Sequence, residues 1–371
     1  MSKQAKSEKN MNRKDVMELM SQKDYPCLSI ILPTHRTAPQ NKQDSIRLKN
    51  LLKEAERKLS DKFTSKEASL LIERLNSLAE TIDHNHTLDG LAFFVNKNIA
   101  VKYDIPFPVR EQLVIDDTFA TRNLVYTLNR SPKYWVLVLS EKPTRLFEGV
   151  RDNLVEVVNE NFPLYFQETT WDEPMRVGEI TNSSAYEDEK MKQFFRKIDR
   201  NFKSLNSVEV MPLVITGVGR YISFFNEITE NKQQIIAQLE GSYDKSSPHE
   251  LSKLIWPLVF ESIEKSKINL LDELSRSINS NKYASGIQQC WRSANEKRCH
   301  TLIVEKDFHY PAQLDNDGLT LHPVETPSQP GAINDAVDEL IEMVIQNGGK
   351  AAFVENGSLS VHQKVAAILR Y

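Results

Sequence analysis

Short apolar runs alternate with amphipathic stretches along the first third of the chain. Residues 26–33 form an apolar run between two prolines, which predicts a buried strand. From residue 44 the apolar positions recur every three or four residues, which predicts a helix with one inward face. Inward residues of this helix and of a second one over 65–81 are expected to be Ile46, Leu48, Leu51, Leu52, Ala55, Leu59, Leu70, Leu71, Leu75 and Leu78.

The same alternation continues to the end of the chain. Further strands are predicted at 90–95, 99–103, 134–139, 145–149, 154–158, 210–217, 302–305, 351–355 and 365–371. Further helices are predicted at 187–205, 221–239, 248–280 and 335–346. The fold class expected from this order is α/β, in three consecutive domains over 1–129, 130–265 and 266–371.

Composition narrows the class of protein. The chain has 371 residues, of which 26% are charged, and a formal net charge of −4. Overall charge therefore does not indicate nucleic-acid binding, although a local basic face could. Three cysteines are too few for a disulfide framework, and no apolar run is long enough to span a membrane or to serve as a signal peptide. We expect a soluble cytoplasmic protein.

One segment is basic in this acidic chain. Residues 35–62 contain eight Lys and Arg against four Asp and Glu, a local balance of +4. Such side chains at a loop and a helix start suit phosphate backbones, which position a bound protein without being read for sequence. The plain alternative is a solvated helix face with ordinary Glu–Lys pairs.

Other motifs give little support for catalysis or metal binding. Gly217 to Arg220 follows a predicted strand, but it matches no phosphate-binding pattern and is best interpreted as a tight turn. Cys290, Cys299 and His300 lack the spacing of a zinc site. There is no nucleophile motif for hydrolysis. We expect no metal, no cofactor and no enzymatic activity.

The sequence itself is similar to a known family. Residues 28–39 (LSIILPTHRTAP), 43–52 (QDSIRLKNLL) and 365–371 (VAAILRY) resemble bacterial relatives of the archaeal and eukaryotic class-I release factors and Pelota. The resemblance extends over essentially the whole chain. It implies the three-domain arrangement of those factors, with an N-terminal domain that binds the ribosomal decoding centre, a middle domain and a C-terminal α/β domain.

The middle domain departs from the family in one place. Release factors carry Gly-Gly-Gln in a loop before a long helix, and there it acts on the peptidyl ester. The equivalent loop here, 178–188, contains Ile-Thr-Asn-Ser-Ser-Ala-Tyr instead. Glycines permit backbone conformations and close approaches that side chains forbid, so this loop is not expected to release peptide. The loop residues that would lie at the peptidyl transferase centre are Asn182, Ser183, Ser184, Ala185 and Tyr186.

The resemblance therefore implies a ribosome hibernation factor. Such a protein would occupy the A site of the 70S ribosome, contact 16S and 23S rRNA, and associate with elongation factor Tu loaded with GDP. The residues that it assigns to the decoding centre are His35, Arg36, Asn41, Lys42, Gln43, Arg47, Lys49 and Asn50. Two alternatives stay open at this point: a release or rescue factor that hydrolyses peptidyl-tRNA, and a Pelota-like surveillance factor.

Overall fold

A computed structural model describes residues 11–36, 39–83, 87–130, 132–167, 183–206, 210–325 and 332–371. The chain forms two compact units. The terminal unit combines Met1–Asn129 with Leu271–Tyr371, and the middle unit is Arg130–Leu270. These boundaries lie at or near two of those expected from the sequence. The structure groups the two ends of the chain in one unit and does not separate an N-terminal from a C-terminal domain. The division into three domains therefore stays a prediction.

The N-terminal part of the terminal unit is built on an antiparallel sheet in the order β3-β2-β1-β4. Its elements are α1 (Arg13–Met20), β1 (Cys27–Pro33), α2 (Asn41–Lys62), α3 (Ser65–Ala79), β2 (Gly90–Val95), β3 (Ala100–Ile105), β4 (Gln112–Asp116) and α4 (Arg122–Arg130). Both faces of β1 are buried, because Leu28 and Ile30 pack in the core under α2 and α3 while Cys27 and Ile31 face a second core. This explains the unbroken apolar run in the sequence.

Two residues expected on the inward faces of these helices lie outside. Ile46 is 59% exposed and Leu70 is 41% exposed. The buried side of α2 is formed instead by residues 44, 48, 51, 55 and 59, and Ile46 lies across the helix from that side. Strand β4 was not predicted, because all five of its residues are only half-buried and the preceding prolines mask its pattern.

The middle unit contains a mixed sheet in the order β7-β6-β5-β8-β9, in which β5, β8 and β9 are parallel. Its elements are β5 (Lys133–Val138), β6 (Arg145–Val150), β7 (Asn153–Glu156), α5 (Ser183–Asn206), β8 (Leu213–Gly217), α6 (Gly219–Ile228), β9 (Ile235–Glu240) and α7 (Pro248–Asn279), whose last residues belong to the terminal unit. Helices α5 and α6 cover one face, and α7 covers the other.

The predicted helix over 221–239 is wrong in its second half. Helix α6 ends at Ile228, and Ile235–Glu240 forms the edge strand β9. Thr229 follows the helix in extended conformation, and the β-branched pair Ile235 and Ile236 suits a strand that pairs with β8. The tight turn expected at Gly217 is confirmed, since β8 ends there and α6 begins two residues later.

The C-terminal part of the terminal unit contains a sheet in the order β10-β16-β11-β15 and a small sheet in the order β13-β12-β14. Its elements are β10 (Tyr283–Ser285), α8 (Gly286–Asn295), β11 (Cys299–Glu305), β12 (Ala312–Leu314), β13 (Leu321–Pro323), β14 (Ala332–Ile333), α9 (Ala336–Gln346), β15 (Lys350–Val354) and β16 (Val365–Leu369). Only β11 and β15 are parallel in the larger sheet, and the chain between them forms the small sheet and then α9. Helix α8 and the small sheet were not predicted.

A buried arginine ties the two parts of the terminal unit together. Arg122, at the start of α4, forms an ion pair with Asp335 at 3.0 Å and donates to the carbonyls of Lys306 and Phe308. Nearby, Thr121 donates to Glu342 at 2.9 Å. The two ends of the chain also share one hydrophobic core. These contacts account for the grouping of distant sequence segments in one unit.

Candidate nucleic-acid interface

The residues after β1 are fixed against the segment that leads into β2. The Thr34 amide donates to the carbonyl of Asp89 at 3.1 Å, and the Thr34 hydroxyl donates to the carbonyl of Leu88 at 2.8 Å. The Thr87 hydroxyl donates in turn to the carbonyl of His35 at 3.2 Å. His35 and Arg36 therefore project from an anchored backbone, which is the kind of support that a binding residue needs.

Asp44 organises the start of α2. Its side chain is 2% exposed and accepts hydrogen bonds from the His35 amide at 2.7 Å, from His35 Nδ1 at 2.9 Å and from an Arg47 Nη at 3.2 Å. Because an ionised carboxylate can only accept, His35 must carry a proton on Nδ1 to make this hydrogen bond. From the sequence Asp44 counted only as an opposing charge. The one signal in the sequence for this structural role is that Asp44 lies on the buried face of an amphipathic helix, where an acid is unusual.

Two of the predicted arginines have local acidic partners. Arg36 binds Asp89 through two parallel hydrogen bonds of 2.8 Å. Arg47 contacts Asp44, donates to the carbonyl of Pro33 at 3.2 Å and approaches Glu111 to 3.6 Å. Their charges are partly compensated within the protein, so they contribute less net positive potential than their number suggests.

Four other cations form an exposed row along α2. Lys42, Lys49, Lys53 and Arg57 are exposed, and among the described residues none of them forms an ion pair. Their spacing of seven, four and four residues keeps them on one face, opposite the buried side of the helix. Adjacent members are about 6 to 10 Å apart along the axis, at roughly 1.5 Å per residue. We call these four residues the α2 stripe; Lys42 and Lys49 are among the predicted decoding-centre residues, and Lys53 and Arg57 belong to the predicted basic segment 35–62.

A groove of about 470 Å³ lies beside the α2 stripe. Gln43, Ile46, Asn50 and Glu54 line it from α2, and Glu111 lines it from the segment before β4. Gln43 and Asn50 are exposed, and within the described ranges their side-chain amides have no protein partner. Asn41, the remaining predicted residue, is half-buried at the first position of α2. The structure thus brings all eight predicted decoding-centre residues to one region, around the start of α2.

The predicted peptidyl-transferase residues lie differently from the expectation. Asn182 is outside the described residues. Ser183 to Tyr186 form the first turn of α5 rather than a loop, so the predicted helix start at residue 187 is wrong. Ala185 is exposed, and Lys190 lies 4.6 Å from the Tyr186 ring, one helical turn away. Such an i,i+4 contact favours helix at these residues.

The first half of α5 is held against α6. Asp188 pairs with Arg220, and Lys192 pairs with Glu227 at 2.7 Å. Below these pairs, the rings of Phe195 and Phe225 are packed 6.4 Å apart at a steep angle. The beginning of α5 is thus a fixed part of the middle unit.

No described residues form a metal centre. Within the described ranges, no group of three or more His, Cys, Asp and Glu side chains could hold a metal ion. Cys290 and Cys299 are buried thiols, and burial raises the pKa of Cys299 to about 11. They are therefore poor nucleophiles at neutral pH. No helix in the described part of the chain is long and apolar enough to cross a membrane.

Comparison with known proteins identifies the middle of the chain. Residues 133–298 match the model of bacterial archaeo-eukaryotic release factor family 3. This confirms the resemblance to the release-factor family for that segment. No curated protein matches the chain.

Similar solved structures include a translation termination factor, a termination-like factor and a Pelota protein. Archaeal termination factor aRF1 is 14% identical over 96% of both chains, with a TM-score of 0.27. Dom34 of S. cerevisiae, a translation termination-like factor, is 14% identical over 76% of this chain and 74% of its own, with a TM-score of 0.43. Pelota of Archaeoglobus fulgidus is 14% identical over 96% of this chain and 92% of its own, with a TM-score of 0.29.

Proposed function

We propose that this bacterial archaeo-eukaryotic release factor-like protein is a ribosome hibernation factor that binds the A site without releasing peptide. The observation that carries the proposal is the α2 stripe beside the anchored loop of His35 and Arg36. Lysines and arginines without acidic partners on one exposed face are the ordinary means of neutralising rRNA phosphates. The family match supports ribosome binding over other RNA targets.

Sequence supports the absence of peptide release. The segment equivalent to the Gly-Gly-Gln loop has Asn182, Ser183 and Ser184. In addition, Ser183 and Ser184 lie at the start of helix α5, so their backbone has helical geometry instead of the conformations that a pair of glycines permits. In this proposal the start of α5 occludes the peptidyl transferase centre and does not act on the ester.

The likeness of the N-terminal motif to the hibernation factor Balon supports the finer part of the proposal. It implies delivery by elongation factor Tu in the GDP state. Residues 28–39 and 43–52 carry this likeness, and they include the anchored loop and Lys49 of the α2 stripe.

Co-sedimentation tests ribosome binding. The purified chain is mixed with vacant 70S ribosomes, with and without elongation factor Tu and GDP, at two salt concentrations. We expect stoichiometric binding that weakens as salt rises, and a gain in binding with the GDP-loaded factor. Absence from the ribosome peak under all four conditions would contradict the proposal. If binding is the same with and without elongation factor Tu, only the proposed association with that factor is contradicted.

A release assay separates hibernation from the enzymatic alternative. Ribosomes carrying labelled peptidyl-tRNA in the P site are incubated with the protein, with puromycin as the positive control. We expect no labelled peptide above background and intact 70S particles. Liberated peptide would favour a release or rescue factor, and an increase in free subunits would favour a Pelota-like surveillance factor.

A further inference from the structure

The groove beside the α2 stripe has a charge pattern of its own. The stripe is cationic, whereas the groove contains the carboxylates of Glu54 and Glu111. The hydrogen bond and charge of Lys58 lower the pKa of Glu54, so this group is ionised at neutral pH. Two carboxylates repel phosphate. A ligand group in the groove should instead present hydrogen-bond donors.

Stripe and groove lie side by side on the same helix. Gln43, Ile46 and Asn50 mark two turns of the groove, while Lys49 and Lys53 project from the adjacent face. A nucleic-acid strand whose phosphates contact the stripe would place a base over the groove. A volume of about 470 Å³ is within the usual range for a small-ligand pocket, so it suits one splayed-out base and not a duplex.

The groove also offers a surface for the face of a base. Ile46 is 59% exposed, whereas Leu48, Leu51 and Leu59 of the same helix are buried. Beside it lies the guanidinium of Arg47, held in place by Asp44. Unpaired RNA bases are typically stacked on aromatic or guanidinium planes and hydrogen-bonded at their edges.

We propose that this groove binds one unpaired guanine of an RNA strand whose phosphates lie on the α2 stripe. Guanine presents two parallel donors, N1–H and the N2 amino group, which match the two oxygens of one carboxylate. The acceptor is Glu111, because Glu54 is already bound by Lys58 at 2.8 Å, whereas among the described residues Glu111 is approached by Arg47 alone, at 3.6 Å. Adenine and uracil each offer one donor group beside an acceptor, which a carboxylate repels.

This inference deepens the proposed function and rests on it for the identity of the RNA as ribosomal. The test uses the full chain and three fluorescein-labelled heptauridylates with a central guanosine, inosine or adenosine. Fluorescence anisotropy should show tighter binding of the guanosine oligonucleotide than of the adenosine one by about 5- to 150-fold, the range for a good bidentate base contact. Inosine lacks the N2 amino group and should lose most of that preference.

The variant Glu111→Gln should abolish the preference for guanosine, since a carboxamide accepts through only one oxygen. Its matched control is Glu56→Gln, an exposed glutamate of α2 outside the groove, which should keep the preference. Lys49→Ala combined with Lys53→Ala should weaken all three oligonucleotides alike.

Three results would overturn the inference: equal affinity for the three oligonucleotides, a preference that survives Glu111→Gln, or no binding of any of them at low salt. The first two leave the ribosome proposal standing if co-sedimentation succeeds. Guanosine preference without ribosome binding would support the groove and reject the proposed target.

Discussion

Single residues decide what the start of α2 can do. The sequence predicts a basic cluster, but it does not show which of the cationic side chains are already paired with acids of the protein. Arg36 and Arg47 turned out to have acidic partners, and Asp44, an acid, proved to hold the site together. Pairings such as Arg36 with Asp89 join residues 53 positions apart, and no local pattern reports them.

Asp44→Asn should loosen the site. The carboxylate accepts from His35 and Arg47 at once, and hydrogen bonds to charged groups contribute about 1.5–3 kcal/mol each. We expect the free energy of unfolding to fall by about 2 kcal/mol in chemical denaturation. Ribosome affinity should fall about tenfold, because His35 and Arg47 are no longer held in place before binding. A tenfold loss corresponds to about 1.4 kcal/mol of binding free energy. Asp61→Asn, an exposed acid at the end of the same helix, serves as the control and should leave both quantities unchanged.

A second buried carboxyl should make stability depend on pH. Burial, followed by the charges of Asp338 and Glu339, raises the pKa of Glu342 to about 9. Burial also raises the pKa of Asp338. In contrast, the pKa of Asp335 is lowered, because the hydrogen bond from His309 and the charge of Arg122 outweigh its burial.

The sign follows from proton linkage. Because the folded state holds the Glu342 proton more tightly than the unfolded state does, stability is greatest below the ordinary value of 4.5 and is lost as pH rises toward 9. We expect the free energy of unfolding to fall by several kcal/mol from pH 5 to pH 9, at about 1.4 kcal/mol per pKa unit. Glu342→Gln, which keeps the hydrogen bond to Thr121 possible, should make this profile shallower, and the raised pKa of Asp338 accounts for the slope that remains. An unchanged slope in the variant would show that another group titrates.

At the scale of elements, patterning succeeded where periodicity was strong. The continuous run of β1 and the apolar face of α9 predicted those elements within a residue or two. Prediction failed at Ile235–Glu240, where apolar residues at short spacing fit a helix but the chain adds an edge strand. It also missed β4 and α8. Short, half-exposed elements such as β4 acquire their form from neighbouring strands, which a local pattern does not contain.

The α2 stripe makes a prediction at this scale. Replacing Lys49 and Lys53 by alanine removes two phosphate contacts, and each contact contributes about 0.7–0.9 to the slope of log affinity against log salt. The slope for ribosome binding should therefore become shallower by about 1.4–1.8 units. A matched double variant, Lys62→Ala with Lys66→Ala, removes two exposed lysines off the stripe and should keep the original slope. Equal slopes for both variants would remove the stripe from the interface.

Only part of the organisation of the whole molecule could be predicted from its sequence. The α/β class followed from the order of elements, and the family match covers residues 133–298. What the sequence did not reveal is that the two ends of the chain share a core. That sharing depends on contacts such as Arg122 with Asp335, more than two hundred residues apart. The loop of His35 and Arg36 therefore belongs to the same compact unit as the C-terminal part of the chain.

The proposed function requires that the start of α2 bind the ribosomal decoding centre. We would test this binding by chemical probing of 16S rRNA in vacant 70S ribosomes. With the protein bound at saturation, we predict protection of decoding-centre nucleotides, and we predict that Lys49→Ala with Lys53→Ala reduces this protection at matched concentration. Stoichiometric ribosome binding with unchanged reactivity at the decoding centre would contradict the account and would place the protein elsewhere on the particle.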